Sequence, residues 1–473
     1  MSRFLADARG AVRSADPIRV VGSVAALKGL TLLVDDFPAT VGSLVSVRSS
    51  GEARPGEVVG FEGRRTIVMM LGTTTGIRPG DAVVAEMSSP TIPIGSLHLG
   101  RVIDALGRPI DGGAMPRDTS PALIHPPPLN ALGRARIRKP LLTGVRAIDI
   151  MTTVGRGQRM GIFAGPGVGK STLLGMIARN TDADVNVIAL IGERGREVRE
   201  FIEEALGTEG LRRSVIVIST SDESPLMRVR AAMAACAAAE YFRDRGKHVM
   251  LMLDSVTRFA HAQRQIGLAV GEPPATRGYT PSVFALLPQM LERAGAVEPK
   301  PGSVHAGGSI TAFFTVLVEG DDMTEPVADA VRGILDGHII LSRSLAQRGH
   351  FPAIDVLDSV SRVAGEICTP DHLAARGMIT RLLAAHKEVE ELLMIGAYSA
   401  GSNPAADAAI KLKPRIDALL TQTTSEARES FAESLQKLTT LAREASAMMQ
   451  QPQGRGGGGV GPPPTRRPAP KAA

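Results

Sequence analysis

The stretch Arg159–Thr172, RMGIFAGPGVGKST, constrains the fold of this chain more than any other. A short apolar run, Met160–Phe163, reads as a buried strand. A Gly/Pro-punctuated loop comes next, made of Gly165, Pro166, Gly167, Val168 and Gly169. After Lys170, Ser171 and Thr172, the residues Leu173, Leu174, Ile177 and Ala178 recur at helical spacing. Strand, glycine loop and a helix opening on Lys-Ser form the phosphate-cradling P-loop pattern. Glycines let backbone N–H groups converge on phosphate oxygens without Cβ obstruction. The helix start adds unpaired donors and the positive end of its dipole. In this pattern Lys170 reaches the β- and γ-phosphates and the Ser171 hydroxyl holds Mg²⁺. The strict spacing asks for Gly at position 164, where this chain has Ala164; so small a residue is expected to permit the turn. The stretch predicts a bound nucleoside triphosphate.

Composition excludes several other classes. At 473 residues with 44% hydrophobic content, the chain has length for two to four domains and a sizeable core. Aromatics are scarce, with no Trp, three Tyr and twelve Phe, which argues against reading single-stranded nucleic acid by base stacking. Of the net charge of +6, four charges (Arg455, Arg466, Arg467 and Lys471) lie after Gln450, so the body is nearly balanced. Balance of that kind gives no electrostatic footprint for a nucleic-acid partner. Cys236 and Cys368 have no metal-ligand spacing and fit a reducing compartment. No apolar run reaches membrane-span length, and no signal peptide is visible at the N-terminus.

Along the chain the texture changes several times. In residues 1–16, Phe4, Leu5, Ala8, Val12 and Ala15 fall at three- and four-residue steps, the pattern of a short amphipathic segment ending near Asp16-Pro17. Residues 17–92 carry short Val/Leu/Ile runs between Gly, Pro and Asp turns: Val20–Leu27, Leu30–Val34, Leu44–Val47, Glu57–Phe61, Thr66–Leu71 and Asp81–Ala85. These predict a small closed β domain, a barrel or sandwich, with no chemical constellation in it. From 93 to 364 an α/β core is expected. Gly100–Asp111 reads as a strand and turn, and Ser120–Pro128 as an extended Pro-rich segment. Core strands are predicted at Met160–Phe163, Val185–Ile191, Ser214–Ser219, His248–Leu253 and Ser309–Val318. Helices alternate with them at Ser171–Asn180, Arg196–Leu206, Leu226–Arg245 and Thr257–Ile266. That alternation implies a mostly parallel sheet covered on both faces, with ligands at the strands' carboxyl ends. Residues 365–450 read as helical: one helix begins at Thr369-Pro370, and a second runs from about Glu426 to Met449. The tail 451–473 is Gly/Pro-rich with no apolar run and is expected to be disordered.

Hydrolysis needs, beyond the P-loop, a carboxylate for Mg²⁺, a group that orients water and positive charge for the γ-phosphoryl group. Asp254, directly after the apolar run Val249–Leu253, is the candidate metal-side carboxylate. Glu193, in IGERGRE after the strand Val187–Ile191, is the candidate water-orienting group, although Glu193–Glu200 also reads as an ion-paired helix start.

The longer motifs resemble a known family. GERGREVREFIE, LDSVTRFAHAQRQIGLAVGEPPATRGYTPSVF, EGDDMTEPVADAVRGILDGHIILSR and FPAIDVLDSVSR together resemble the flagellar protein-export ATPases, relatives of the catalytic subunits of rotary ATP synthases. The resemblance covers about residues 17–440, and Pro-Ala-Thr-Arg at 274–277 looks flagellar. It implies a RecA-like P-loop core, preceded by a small β-barrel and followed by a helical domain. It also implies that Glu193 activates water, that Arg194 is a neighbouring site arginine and that Asp254 is the Walker B aspartate. By the same resemblance Arg362 is an arginine finger working across a subunit boundary in a homohexamer, and Phe351 and Tyr398 pack on the adenine. Core packing is the plainer alternative for these two aromatics. Tyr398–Ile410, YSAGSNPAADAAI, lacks the acidic loop that synthase catalytic subunits turn toward their shaft, which disfavours a synthase.

The resemblance further implies an ATPase that assists release and unfolding of export substrates at the cytoplasmic face of the inner membrane. Expected partners are a stator-like regulator at residues 1–16, the export gate, a central stalk protein and chaperone–substrate complexes, with peripheral membrane contact and no nucleic acid. Three rival readings remain: an injectisome ATPase, a hexameric RNA-dependent motor of the terminator type, and a non-catalytic nucleotide-binding ring subunit. The balanced charge and few aromatics argue against the second of these, and Glu193 against the third.

Overall fold

Six strands, β1 (Val21–Lys28), β2 (Thr31–Asp35), β3 (Leu44–Ser49), β4 (Glu52–Glu62), β5 (Arg65–Met70) and β6 (Ala82–Met87), open the chain in a computed structural model of the protein. The structure describes residues 20–450 except 50, 88–89, 300–306, 319, 321 and 427–428. The amphipathic segment 1–16 and the tail 451–473 therefore lie outside the described residues. The six strands pair antiparallel in the order β1-β2-β5-β4-β3-β6, and β6 returns to β1, so the sheet closes into a barrel. Closure leaves no free edge. Val24, Leu32, Val34, Val45, Val47, Val58, Val68 and Val83 fill the interior, as the short Val/Leu runs require.

Glu57 on β4 joins the barrel to the α/β core. Its carboxylate accepts a hydrogen bond of 2.8 Å from Arg230 of that core, and both side chains are almost wholly buried. Burial pushes the Glu57 carboxyl above its ordinary value, against the lowering effect of Arg230. Removing one partner of such a pair strands the other charge in a dry site, at a cost of about 3–5 kcal/mol, whereas replacing both by apolar residues is far milder. Glu57→Leu is accordingly expected to lower the urea midpoint of unfolding followed by circular dichroism, and Glu57→Leu with Arg230→Met to recover more than half of that loss.

The core alternates strand and helix. In chain order it contains β7 (Arg101–Ile103), β8 (Arg159–Ala164), α1 (Lys170–Asn180), β9 (Val185–Glu193), β10 (Ser214–Thr220), α2 (Pro225–Arg243), β11 (His248–Asp254) and α3 (Val256–Ala269). It continues with α4 (Pro281–Leu291), β12 (Ser309–Leu317), α5 (Pro326–Ile334), β13 (Gly337–Leu341) and β14 (Ile354–Ser361). The strands form one sheet in the order β14-β13-β8-β12-β11-β9-β10-β7. Along this path all neighbours are parallel except β13 and β14, and off it Gly295–Ala296 pairs antiparallel with β12. Along β9, Val187, Ala189 and Ile191 pack on the side of α2 and α3, while Ile188 and Leu190 pack on the side of α1. Both faces are covered, so the strand reads as an unbroken apolar run.

The five predicted core strands are all present, and the sequence reading omits β13, β14 and the two-residue strand Gly295–Ala296 beside β12. The first is only five residues long, and Asp355 and Asp358 interrupt the second, an edge strand. The predicted helix Arg196–Leu206 is replaced by Gly195–Glu200, a π-helical turn at Phe201–Leu206 and a further helix at Gly207–Arg212.

Three helices close the chain: α6 (Pro370–Met394), α7 (Pro404–Leu420) and α8 (Phe431–Gln450). Thr369 caps α6 as its sequence predicts. Two expectations are corrected. The stretch read only as lacking an acidic loop starts a helix, α7, with Asn403 accepting hydrogen bonds from the Ala405 and Ala406 amides. Pro414 inside it masks the helical signal. The last helix starts at Phe431, not Glu426, because Ser430 and Glu433 form a reciprocal capping box: Ser430 N–H donates to Glu433, and Glu433 N–H donates to Ser430 Oγ. Among the described residues no helix is long and apolar enough to cross a membrane.

Candidate active site

The P-loop leaves the carboxyl end of β8, a central strand flanked by β12 and β13. Ala164 is still within β8, paired with Leu317 and Leu341, so the position that the strict motif gives to glycine needs no left-handed backbone here. Gly167 and Gly169 do need it, with φ of +76° and +91°. Gly169 is the residue from which α1 starts, and Lys170 is the first helical residue. The free N–H groups of that first turn face the carboxyl ends of the strands, where an anion is favoured.

Three side chains from three elements meet there. The Lys170 ammonium donates to Asp254 Oδ1 and lies 3.7 Å from Glu193 Oε1. Asp254 ends β11 and Glu193 ends β9; in these neighbouring parallel strands Asp254 is level with Leu190, so both carboxylates stand at the sheet's carboxyl end with Glu193 three residues further on. Thr315, one strand over on β12, donates to Asp254 Oδ1 at 2.7 Å. Both bonds to Asp254 fall on Oδ1, and Oδ2 takes none among the described residues. Glu193 is 7% exposed. Burial first, then the negative charge of Asp254, push its carboxyl up to about 7, with Lys170 and Arg258 pulling the other way. Its Oε1 is buried with no hydrogen-bond partner among the described residues. An unfilled acceptor in a dry site suits a water molecule.

Arg258, like Thr315, is a site residue that the sequence reading misses. From α3 it donates to the Gly192 carbonyl at 2.5 Å and to Glu193 Oε2 at 3.3 Å. Its signal was available: it stands one helical turn past Asp254, so a helix starting at the strand end returns it to the same level. Thr315 had no such signal, because it is adjacent only through the sheet.

The remaining expected residues are dispersed. Arg194 is directed outward, with its side chain 76% exposed and paired to Glu197 at 2.9 Å. Ser171 and Thr172 lie exposed in the first turn of α1. Phe351 is half-exposed, and a Cβ added at Gly169 would sit 3.7 Å from its Cδ1, so the ring lies against the start of α1. The Tyr398 hydroxyl donates to Asp407 at 3.0 Å, within the turn that leads into α7.

Arg362 is at the other end of the sheet. Ser361 pairs with Gly337, the Arg362 amide donates to the Asp336 carbonyl at 3.0 Å, and the Asp336 amide donates to the Arg159 carbonyl at 2.9 Å. Arg362 thus stands level with the first residue of β8, while the P-loop begins after the last. Five extended residues separate those levels by about 16 Å. The exposed guanidinium of Arg362 cannot serve the P-loop of its own chain.

This chain matches the nucleotide-binding domain of the ATP synthase alpha/beta family over residues 144–361 and the beta-barrel domain of that family over 28–86. Residues 368–440 match the T3SS EscN ATPase C-terminal domain. The chain is 50% identical over 433 residues to the flagellum-specific ATP synthase of Bacillus subtilis, covering 91% of this chain and 97% of that one. The chain belongs to the flagellar and type III secretion ATPase family. It is likewise 50% identical to the flagellum-specific ATP synthase of Treponema pallidum over 446 residues, 94% of this chain and 97% of that one. The type 3 secretion system ATPase of Xanthomonas euvesicatoria is 48% identical over 90% of this chain and 95% of its own. The solved structure of the assembled ATPase EscN from the enteropathogenic E. coli type III secretion system matches with a TM-score of 0.83 at 42% identity, covering 89% of this chain and all of that one. This family chain is an ATP hydrolase, and its flagellum-specific relatives at high coverage favour the flagellar reading over the injectisome one.

Proposed function

We propose that this chain is the ATP-hydrolysing motor of flagellar protein export, working as a homohexamer in which each active site lies between two copies. The observation that carries this reading is the separation of Arg362 from its own Lys170–Glu193–Asp254 cluster, together with its exposure at a sheet end. A finger that cannot reach its own site has a function only in a neighbour's. The first turn of α1 and Lys170 hold the phosphates, and Phe351 stacks at the mouth of the site on the base. Glu193 accepts a hydrogen bond from the attacking water at its unfilled Oε1. Ser171 and Asp254 Oδ2 supply hard oxygen ligands that fit Mg²⁺, which when bound neutralises charge on the β- and γ-phosphates. Arg258 holds Glu193 in place, and the neighbour's Arg362 stabilises charge on the transferring phosphoryl group. Arg194, exposed in this single chain, would meet phosphate only after closure of the ring.

The reading extends to partners by family resemblance. Residues 1–16 bind a stator-like regulator, and the ring works with an export gate, a central stalk and chaperone–substrate complexes at the cytoplasmic face of the inner membrane. The solved complex of EscN with its central stalk EscO supports the stalk assignment. Turnover per chain measured against protein concentration tests the ring. It is expected to rise steeply as rings assemble and then plateau; a specific rate that is the same in dilute monomer and assembled ring would overturn the shared-site reading.

A further inference from the structure

A second arginine stands behind the one that touches Glu193. Arg228, in the first turn of α2, and Arg258, in the first turn of α3, both run their stems across Gly192. A Cβ added at Gly192 would lie 3.1 Å from Arg258 Cδ and 3.5 Å from Arg228 Cδ, and the residue has φ of +69°. The backbone immediately before Glu193 therefore requires glycine and is clamped by two cationic side chains. Their head groups diverge. Arg258 faces the Gly192 carbonyl and Glu193. Arg228 turns away to Gln265, donating to its Oε1 at 2.9 Å, and its Nε is buried without a hydrogen-bond partner among the described residues. Gln265 lies on the same helix as Arg258, two turns further on. Burial and the like charge of Arg258 hold Arg228 below its ordinary pKa, and Glu223 offsets this only in part.

A cation kept half-buried beside another cation, with no carboxylate bonded to it among the described residues, is a poor stabilising device. It is a good wedge. Arg258 answers to two carboxylates, Glu193 and Glu197, and is repelled by the Arg228 charge that crosses Gly192 beside it. We propose that Arg228 is a positioning residue for hydrolysis: its stem and charge, tethered by Gln265, keep the Arg258 guanidinium on Glu193 and the Gly192 carbonyl. Arg228 touches no reacting atom and acts only through Arg258. The inference rests on Glu193 being the group that orients water.

The test is steady-state ATPase activity of assembled full-length Arg228→Gln, Arg228→Lys, Arg258→Gln and the Arg228→Gln/Arg258→Gln pair. Arg228→Gln is expected to lower kcat about five- to twentyfold, with KM within about twofold, the size of coupling between touching residues. Arg228→Lys, which keeps stem and charge, should retain at least about half the wild-type kcat. In the Arg258→Gln background, Arg228→Gln should cost nothing further. Wild-type kcat in Arg228→Gln, an equal loss in both backgrounds, or Arg228→Lys as slow as Arg228→Gln would each overturn the proposal. If the Gln variant does not assemble, Arg228→Met removes the charge while keeping the stem and carries the same expectations. Glu193→Gln separates the two readings: if it is inactive while Arg228→Gln is normal, only the wedge fails. If Glu193→Gln turns over normally, the water-orienting reading fails.

Discussion

Replacing Arg362 with alanine is expected to reduce turnover by the assembled protein about 10³- to 10⁵-fold, the range over which an arginine finger acts in phosphoryl transfer. ATP binding by the isolated chain should change little, because Arg362 stands at the opposite end of the sheet from its own P-loop. The same geometry gives a sharper test by mixing. A Lys170→Ala chain has a dead site and an intact Arg362; an Arg362→Ala chain has the reverse. Rings assembled from both should regain activity, since the Arg362 of one completes the P-loop site of the other. No regain in co-assembled rings would mean that Arg362 does not act across the boundary.

Glu193→Gln is the second large effect. Loss of a positioned base typically costs about 10²–10⁴ in rate. The amide is close in shape, so nucleotide affinity should stay within a few-fold while turnover collapses. The pH dependence gives an independent signature. Burial and Asp254 raise the Glu193 carboxyl to about 7 in the free protein. The base is therefore lost as pH falls through about 7, and kcat/KM should drop about tenfold per pH unit below it, then level off above. Residual activity of Glu193→Gln should lack that limb. The sign for stability is opposite. A carboxyl that holds its proton more tightly folded than unfolded favours the folded state at low pH, and that contribution is lost as pH rises to about 7. At pH 8 Glu193→Gln should consequently melt no lower than the wild type. A clearly lower melting temperature would show that the carboxylate is stabilising there, contrary to its burial.

Local pattern made much of this molecule readable. Ser171 and the glycines at 167 and 169 announce the P-loop because backbone needs at a phosphate site are met only by certain residues. The strands at 185–191 and 248–253 announce themselves as apolar runs because both sheet faces are covered. Short or interrupted elements were silent. β13 has too few residues to show a period, β14 carries aspartates at a sheet edge, and α7 hides behind Pro414. Their places come from neighbours: β13 from pairing with β8, α7 from packing of Leu412 and Ile416 into the shared core.

The candidate site divides in the same way. Residues whose chemistry depends on chain neighbours, such as Lys170 at a helix start or Asp254 and Glu193 at strand ends, could be nominated from the sequence alone, as could the family. Which of them meet could not. The contact between Lys170 and Asp254 joins residues 84 apart in the chain, whose strands lie two places apart in the sheet. Arg258 reaches Glu193 because α3 starts at the end of β11, and Arg194 faces outward, paired with Glu197. Above all, the antiparallel pairing of β14 with β13 put Arg362 at the end of the sheet away from its own P-loop. Residue type and spacing act over one or two turns of chain; strand order and burial act through space, and only the folded sheet decided which of these residues meet.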